Sequence, residues 1–216
     1  LYSGGLAVTI TVPEGEIIAQ RTFNPKLGVI GGISIIGTSG IVKPFSSDAF
    51  ISSIRKEIEV AKALGIEHLV INSGAKSEKY VKELYTELPP QAFVHFGNFI
   101  GETLAIANEL NIPRVTMGIM LGKAVKLAEG YLDTHSKKVT MNKDFLIRAA
   151  QQAGCDQETE QQIRNLTLAR ELWTIPEKEQ EKLFPYLLQE CYTHCSKLIS
   201  NSNLTLLILS DKGDCK

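Results

Sequence analysis

Apolar residues recur along the chain with two periods. Residues 66–71 (IEHLVI), 92–96 (AFVHF), 115–121 and 204–209 (LTLLIL) are short continuous runs, mostly of aliphatic, β-branched or aromatic residues, which predicts strands buried on both faces. Between them the period changes. Residues 49–64 place Phe50, Ile51, Ile54, Ile58, Ala61 and Leu64 at helical spacing and stop at Gly65, a natural residue for a helix end. Polar-faced helices are predicted at 78–87, closed by Pro89-Pro90, and at 102–110, closed by Asn111 and Pro113. From Lys123 the helical period continues through 124–129, 143–152 and 158–172, with residues 130–140 as a polar interruption. Pro185 divides the last stretch into expected helices at 176–183 and 186–200.

The amino-terminal part reads differently. Residues 6–12 (LAVTITV) alternate, Pro13-Glu14-Gly15 turns, and residues 16–22 resume, which predicts a β-hairpin. Two strands are marginal alone in water, so this hairpin is expected to extend a sheet made by other residues. Residues 27–36 then form an apolar run studded with glycine, followed by the turn Gly37-Thr38-Ser39-Gly40 and the hydroxyl-rich helix start Ser46-Ser47-Asp48. Strand, turn and helix in succession, repeated four times, predict an α/β fold: a Rossmann-like, mostly parallel, doubly wound sheet with an N-terminal β-hairpin and a helical C-terminal region. The expected division is residues 1–26 as a hairpin left from a preceding domain, and 27–216 as the α/β domain, with helical segment 123–200 and a final strand at 204–209.

Gly28, Gly31, Gly32, Gly37 and Gly40 fall within thirteen residues. Glycine in an element interior costs about 0.5–1 kcal/mol relative to alanine, so the run needs an offset such as close approach of a ligand or of another element. A triphosphate loop is excluded by chemistry: the lysine of G-x-x-x-x-G-K-[ST] is replaced by Thr38. An ordinary dinucleotide fold is disfavoured by the missing G-x-G-x-x-G and by Asn72 where a ribose-binding acid would stand. The remaining reading is a set of turns at one sheet edge, 37–40, 72–74 and 97–101, offering N–H groups and hydroxyls to a small ligand; the competing reading is tight packing.

Composition narrows the partners. With 216 residues, 44% hydrophobic and 22% charged, the chain can bury a sizeable core. A formal net charge of −1 and no basic–aromatic patch argue against nucleic acid. No apolar run reaches the roughly 18 residues that span a bilayer, so no membrane partner and a cytoplasmic setting are expected. A homo-oligomer is compatible with the sequence. Cys155, Cys191, Cys195 and Cys215 are expected as reduced thiols. Cys191, His194 and Cys195 share one helix face, but the surrounding leucines make a core stripe the simpler reading than a metal site. His68 and His95 fall within strands. His135, in the polar cluster Asp133-Thr134-His135-Ser136, stands in a loop context and is the candidate general base or substrate contact.

Three blocks carry a resemblance: TFNPKLGVIGGISIIGTSGIVKPFSSDAF (22–50), HFGNFIGETL (95–104) and GKAVKLAEGYLDTHSKK (122–138). In this order they resemble the CbiD-type cobalt-precorrin-5B C(1)-methyltransferases of anaerobic cobalamin biosynthesis. The resemblance implies methyl transfer from S-adenosylmethionine to C1 of a cobalt-bearing tetrapyrrole, giving cobalt-precorrin-6A. It implies a cofactor side lined by Gly31, Gly32, Thr38, Ser39, Gly97, Asn98 and Gly101. His135 and Ser136 would meet the tetrapyrrole, with His135 assisting proton movement. The family's Gly-Tyr-Thr-Thr-Gly-Thr block does not occur here, and the chain starts at Leu1, so a fragment without the first domain is expected. Asp133 stands where the family commonly has Asn. The rival from another class is a non-catalytic Rossmann-like module that binds a small metabolite or a partner chain.

Overall fold

The computed structural model describes residues 4–5, 7–22, 24–34, 46–135, 140–213 and 215. Its residues form two units, 1–46 and 47–216.

The larger unit is built on a four-stranded sheet with β1 (His68–Asn72), β2 (Phe93–His95), β3 (Arg114–Met120) and β4 (Asn203–Leu209). All pairings are parallel, in the order β2-β1-β3-β4. The four expected strands are therefore present, each within two residues of the predicted bounds. Parallel neighbours require crossovers, which the helices supply. Helix α2 (Ser47–Ala63) enters β1, α3 (Ala75–Leu84) joins β1 to β2, and α4 (Ile100–Glu109) joins β2 to β3. From β3 to β4 the chain runs through α5 (Leu121–Ala128), α6 (Lys143–Gln152), α7 (Gln157–Asn165), a 3-10 segment at Ala169–Thr174, and α8 (Glu177–Cys195).

Strand alternation assigns the two faces. Leu69 and Ile71 of β1, with Val115, Met117 and Ile119 of β3, join the large core under α2, α4, α5 and α8. Val70 points the other way and packs with Val81 of α3, Phe93 and Leu209 in a small second core. On that face a Cβ at Gly118 would lie 2.3 Å from Val81 Cγ1, so the glycine lets α3 lie directly on β3.

Pro185 does not break its helix. Residues 177–195 are one helix with the proline inside, because Leu183, Phe184 and Leu187 around it are fully buried and hold the segment in place. Pro185 and Glu181, whose carbonyl loses its i+4 donor, are both exposed, so the lost bond does not strand a polar group in the core. The helix expected over 158–172 is divided instead, into α7 and the 3-10 segment.

The smaller unit departs most from expectation. The hairpin is not formed: residues 7–12 join no ladder, and Gly15–Ala19 form a short helix, α1. An isolated two-stranded hairpin lacks the apolar face that would hold it. The described part of the glycine-rich run is not a strand either. Asn24–Leu27 form a 3-10 turn, and Gly28 (φ 72°) and Gly31 (φ 91°) occupy left-handed backbone that a regular strand excludes. Asn24 organises this turn, donating through Nδ2 to the Gly32 carbonyl at 3.0 Å and accepting from Ser34 Oγ at 3.3 Å.

Candidate functional site

In open parallel sheets ligands bind beyond the carboxyl ends of the strands. Two of the three expected turns can be compared there; the third, 37–40, which holds Thr38 and Ser39, lies outside the described residues, as does Ser136.

The turn after β1 satisfies itself. Asn72 is fully buried, accepts from Gly74 N at 3.1 Å and reaches the Val94 carbonyl at 3.4 Å. Ser77 Oγ accepts from Ser73 N at 3.0 Å and from Gly74 N at 3.1 Å, and donates to the Gly74 carbonyl. The N–H groups of Ser73 and Gly74, just before α3, are thus spent inside the turn.

The loop after β2 is built as a junction. Gly97 has φ 59°, and a Cβ there would lie 3.0 Å from the ring of Phe50; at Gly101 a Cβ would lie 3.1 Å from Leu132 Cβ. Both glycines give their side-chain space to a neighbour. The close approach at Gly101 lets Leu132 offer its carbonyl to the N–H groups of Ile100 and Gly101, capping α4. Phe99 and Asp133 pair as an antiparallel bridge, and Thr134 N donates to the Asn98 carbonyl at 3.1 Å. Residues 132–134 are thereby fixed against 97–101.

Two lysines from α5 complete this region. Lys123 Nζ donates to the Gly97 carbonyl and, at 2.7 Å, to Asn98 Oδ1, and lies 5.8 Å from the centre of the Phe96 ring. Lys126 Nζ donates to the Thr134 carbonyl at 3.3 Å. Burial pushes the Lys123 ammonium down to about 8; the Lys126 charge adds to the effect and Asp133 opposes it. Burial also lowers Lys126. Asn98, Lys123, Lys126 and Thr134 line one cavity of about 490 Å³, whose apolar walls include Met120, Met141 and Leu168. No acidic residue lines it among the described residues. Thr134 is 2% exposed and its hydroxyl has no hydrogen-bond partner among the described residues.

Of the expected site residues, Asn98 lines this cavity; Gly97 and Gly101 are not among its lining residues. Gly31 and Gly32 belong to the smaller unit, where they line a shallow concavity with Ile10, Val12 and Glu14. His135 is half-buried, its N–H accepted by Asp133 Oδ1 at 3.2 Å, and it is not among the cavity's lining residues. Sequence reasoning missed Lys123, Lys126 and Thr134. One signal was available for Lys123: a cation in the first turn of a helix opposes its dipole, which is costly unless it serves something else, whereas Lys126 stands in the last turn, where a cation is favourable.

The other reactive side chains are elsewhere. Cys191 and Cys195 are fully buried on α8, where Cys191 Sγ donates to the Ala124 carbonyl at 3.2 Å; burial raises both thiols, Cys195 to about 12. His68 meets Thr116 Oγ1 at 2.9 Å, and His95 meets Glu78 at 2.9 Å. No group of three or more metal-ligating side chains occurs among the described residues, and no helix among them is long and apolar enough to cross a membrane. A larger concavity of about 750 Å³ at the end of β4 mixes charges of both signs, from Arg170 and Lys212 to Glu171, Glu177 and Asp211.

Comparison with known proteins adds family information. The family model described as CbiD matches residues 2–44, and that described as CbiD, C-terminal domain, matches residues 133–215. A cobalt-precorrin-5B C(1)-methyltransferase of Prosthecochloris aestuarii is 38% identical over 213 residues, 98% of this chain and 58% of the relative. A protein of the same name from a Geobacillus species is 43% identical over 88% of the chain and 52% of its own length. One from Priestia megaterium is 37% identical over 97% and 58%. The chain spans a little over half the length of these relatives. No solved structure gives a significant match.

Proposed function

The chain belongs to the CbiD family, and from that premise we propose that it serves the cytoplasmic methylation of C1 of cobalt-precorrin-5B, with S-adenosylmethionine as donor and cobalt-precorrin-6A as product. The observation that supports this most directly is the cavity at the carboxyl edge, walled by Asn98, Lys123, Lys126 and Thr134. Its volume lies within the roughly 300–1,000 Å³ of small-molecule sites.

The residues fit such a donor in kind. Asn98, Thr134, Thr140 and Thr167 offer amide and hydroxyl groups for hydroxyls and ring edges, and Met120, Met141 and Leu168 offer apolar surface for an adenine and an alkyl chain. When bound, S-adenosylmethionine supplies an electrophilic methyl group on a sulfonium sulfur. The chain's own residues then act by placement: holding two reactants in line is worth several kcal/mol of barrier without any acid or base. The Asn98 side chain is held by Lys123, and the loop carrying Thr134 is held by the Asn98 carbonyl, so the polar groups are fixed before a ligand arrives. His135, one residue along that loop, is the proposed tetrapyrrole contact and proton carrier, with Ser136 beside it.

A chimera tests the reading. The Prosthecochloris aestuarii relative, with its matching part replaced by this chain, is given methyl-labelled S-adenosylmethionine and cobalt-precorrin-5B. Label at C1 of the product is expected. Label absent from C1 in a folded chimera would contradict the proposal and favour a non-catalytic binding module.

A further inference from the structure

Two features of the carboxyl-edge cavity are unexplained by packing alone. The first is Lys123. Half-burying an ammonium is costly, and this one bonds here only to two neutral oxygens, the Gly97 carbonyl and Asn98 Oδ1, which a neutral donor would satisfy equally. An ammonium has three protons, and among the described residues two have acceptors. The second is Thr134, whose hydroxyl is buried without a partner among the described residues, a desolvation penalty that an isosteric valine would avoid. Both residues line the same cavity, with Lys126 as a second cation and no acidic side chain among its lining residues. They are also tied together, since Asn98 accepts from Lys123 through its side chain and from Thr134 N through its carbonyl.

We infer that Lys123 and Thr134, with Lys126 behind them, form a carboxylate-binding subsite: the free ammonium proton and the orphan hydroxyl donate to the two oxygens of one carboxylate. An anion supplies an acceptor for the third ammonium proton and for the threonine hydroxyl, and charge-assisted bonds of this kind are the strong ones. The methyl-transfer reading enters only in naming the source. The carboxylate comes either from the amino-acid end of the sulfonium donor or from an acidic side arm of the tetrapyrrole.

The test is calorimetric titration of the chain with two matched pairs. S-adenosylhomocysteine is set against 5′-methylthioadenosine, which keeps the adenosyl thioether and lacks the carboxylate; dicyanocobyrinic acid is set against its fully methylated ester. At least one acid is expected to bind. Its dissociation constant should rise about tenfold to a hundredfold in Lys123→Met and about threefold to tenfold in Thr134→Val, with Lys123→Arg intermediate. The carboxylate-free partner should bind these variants as it binds the wild type. The pair that responds identifies the source. Thr134→Val removes no hydrogen bond from the folded chain, so it separates ligand recognition from loop support if Lys123→Met unfolds. Equal losses for acid and ester, no loss in either variant, or no binding of either acid by folded wild type would overturn the subsite. Its failure is separable from failure of the methyl-transfer reading: label at C1 in the chimera without acid discrimination removes the subsite alone, and acid discrimination without label removes the activity alone.

Discussion

The turn after β1 and the loop after β2 lie at the same edge of one parallel sheet, and both are short, polar and glycine-bearing, yet they end in opposite states. The 72–77 turn closes on itself: Asn72 and Ser77 consume the N–H groups of Ser73 and Gly74. The 97–101 loop closes on 132–134 and α5 instead, and leaves a third ammonium proton and a threonine hydroxyl unspent among the described residues. Richness in small polar residues marks a turn. Polar groups left over after the turn is made mark a site.

The sharpest way to break this contrast is to remove one group from each side. Lys123→Met should lower methyl transfer by the chimera about a hundredfold, since it removes charge and donor together at the cavity wall. Ser77→Ala should leave the rate within about twofold but cost about 1–3 kcal/mol of stability, read by urea unfolding, because the Ser73 N–H loses its acceptor while Gly74 N keeps only Asn72.

Next in size is overpacking at Gly118. Gly118→Ala places a methyl against Val81 and should destabilise by about 1–3 kcal/mol, with Val81→Ala restoring part of the loss in the double variant. Both effects should be on melting and not on ligand affinity.

A pH series sharpens the electrostatic half. Burial moves Lys123 from 10.5 to about 8, with Lys126 pressing the same way and Asp133 against it. Between those values the unfolded chain carries a proton that the native state has released, so stability rises with pH across the window. Measured against Lys123→Met, wild-type stability should therefore climb from pH 8 to about 10 and be flat below 8. Carboxylate affinity should run the other way, falling as pH passes about 8 and the ammonium discharges.

Smaller effects are expected at two threonine-loop positions. Thr134→Val should raise the melting temperature by about 2–4 °C, as one kcal/mol of relieved desolvation does in a chain of this size, while weakening binding. His135→Ala should reduce methyl transfer about tenfold or less, with no change in carboxylate affinity, since His135 does not line the cavity.

Much of this architecture was legible in the residues. All four strands were visible because parallel strands are buried on both faces and so read as unbroken apolar runs between Gly, Asn and Pro. Helix α2 was visible from Ile54, Ile58 and Ala61, which are all fully buried. The hairpin was illegible because alternation in residues 7–12 states which face would be apolar but not whether any partner strand exists. Pro185 misled because the rule for proline assumes its i−4 carbonyl has no water, and Glu181 is exposed. In the site, the turn 97–101 stood out by its glycines, and the resemblance named Asn98 within it. Lys123 and Lys126 did not, because lysines three apart on a helix normally describe a solvated face. What draws them in is their bonding to Gly97, Asn98 and Thr134, tertiary contacts that no local pattern encodes.

The central claim is that the cavity under Lys123, and not the turn after β1, is where this chain meets its reactants. It is tested most directly by the initial rate of methyl transfer to cobalt-precorrin-5B by the chimera in three forms: wild type, Lys123→Met and Ser77→Ala, each confirmed folded by its melting curve. The predicted result is a rate about a hundredfold lower in Lys123→Met and near wild type in Ser77→Ala. Equal rates in wild type and Lys123→Met, or a selective loss in Ser77→Ala, would contradict it.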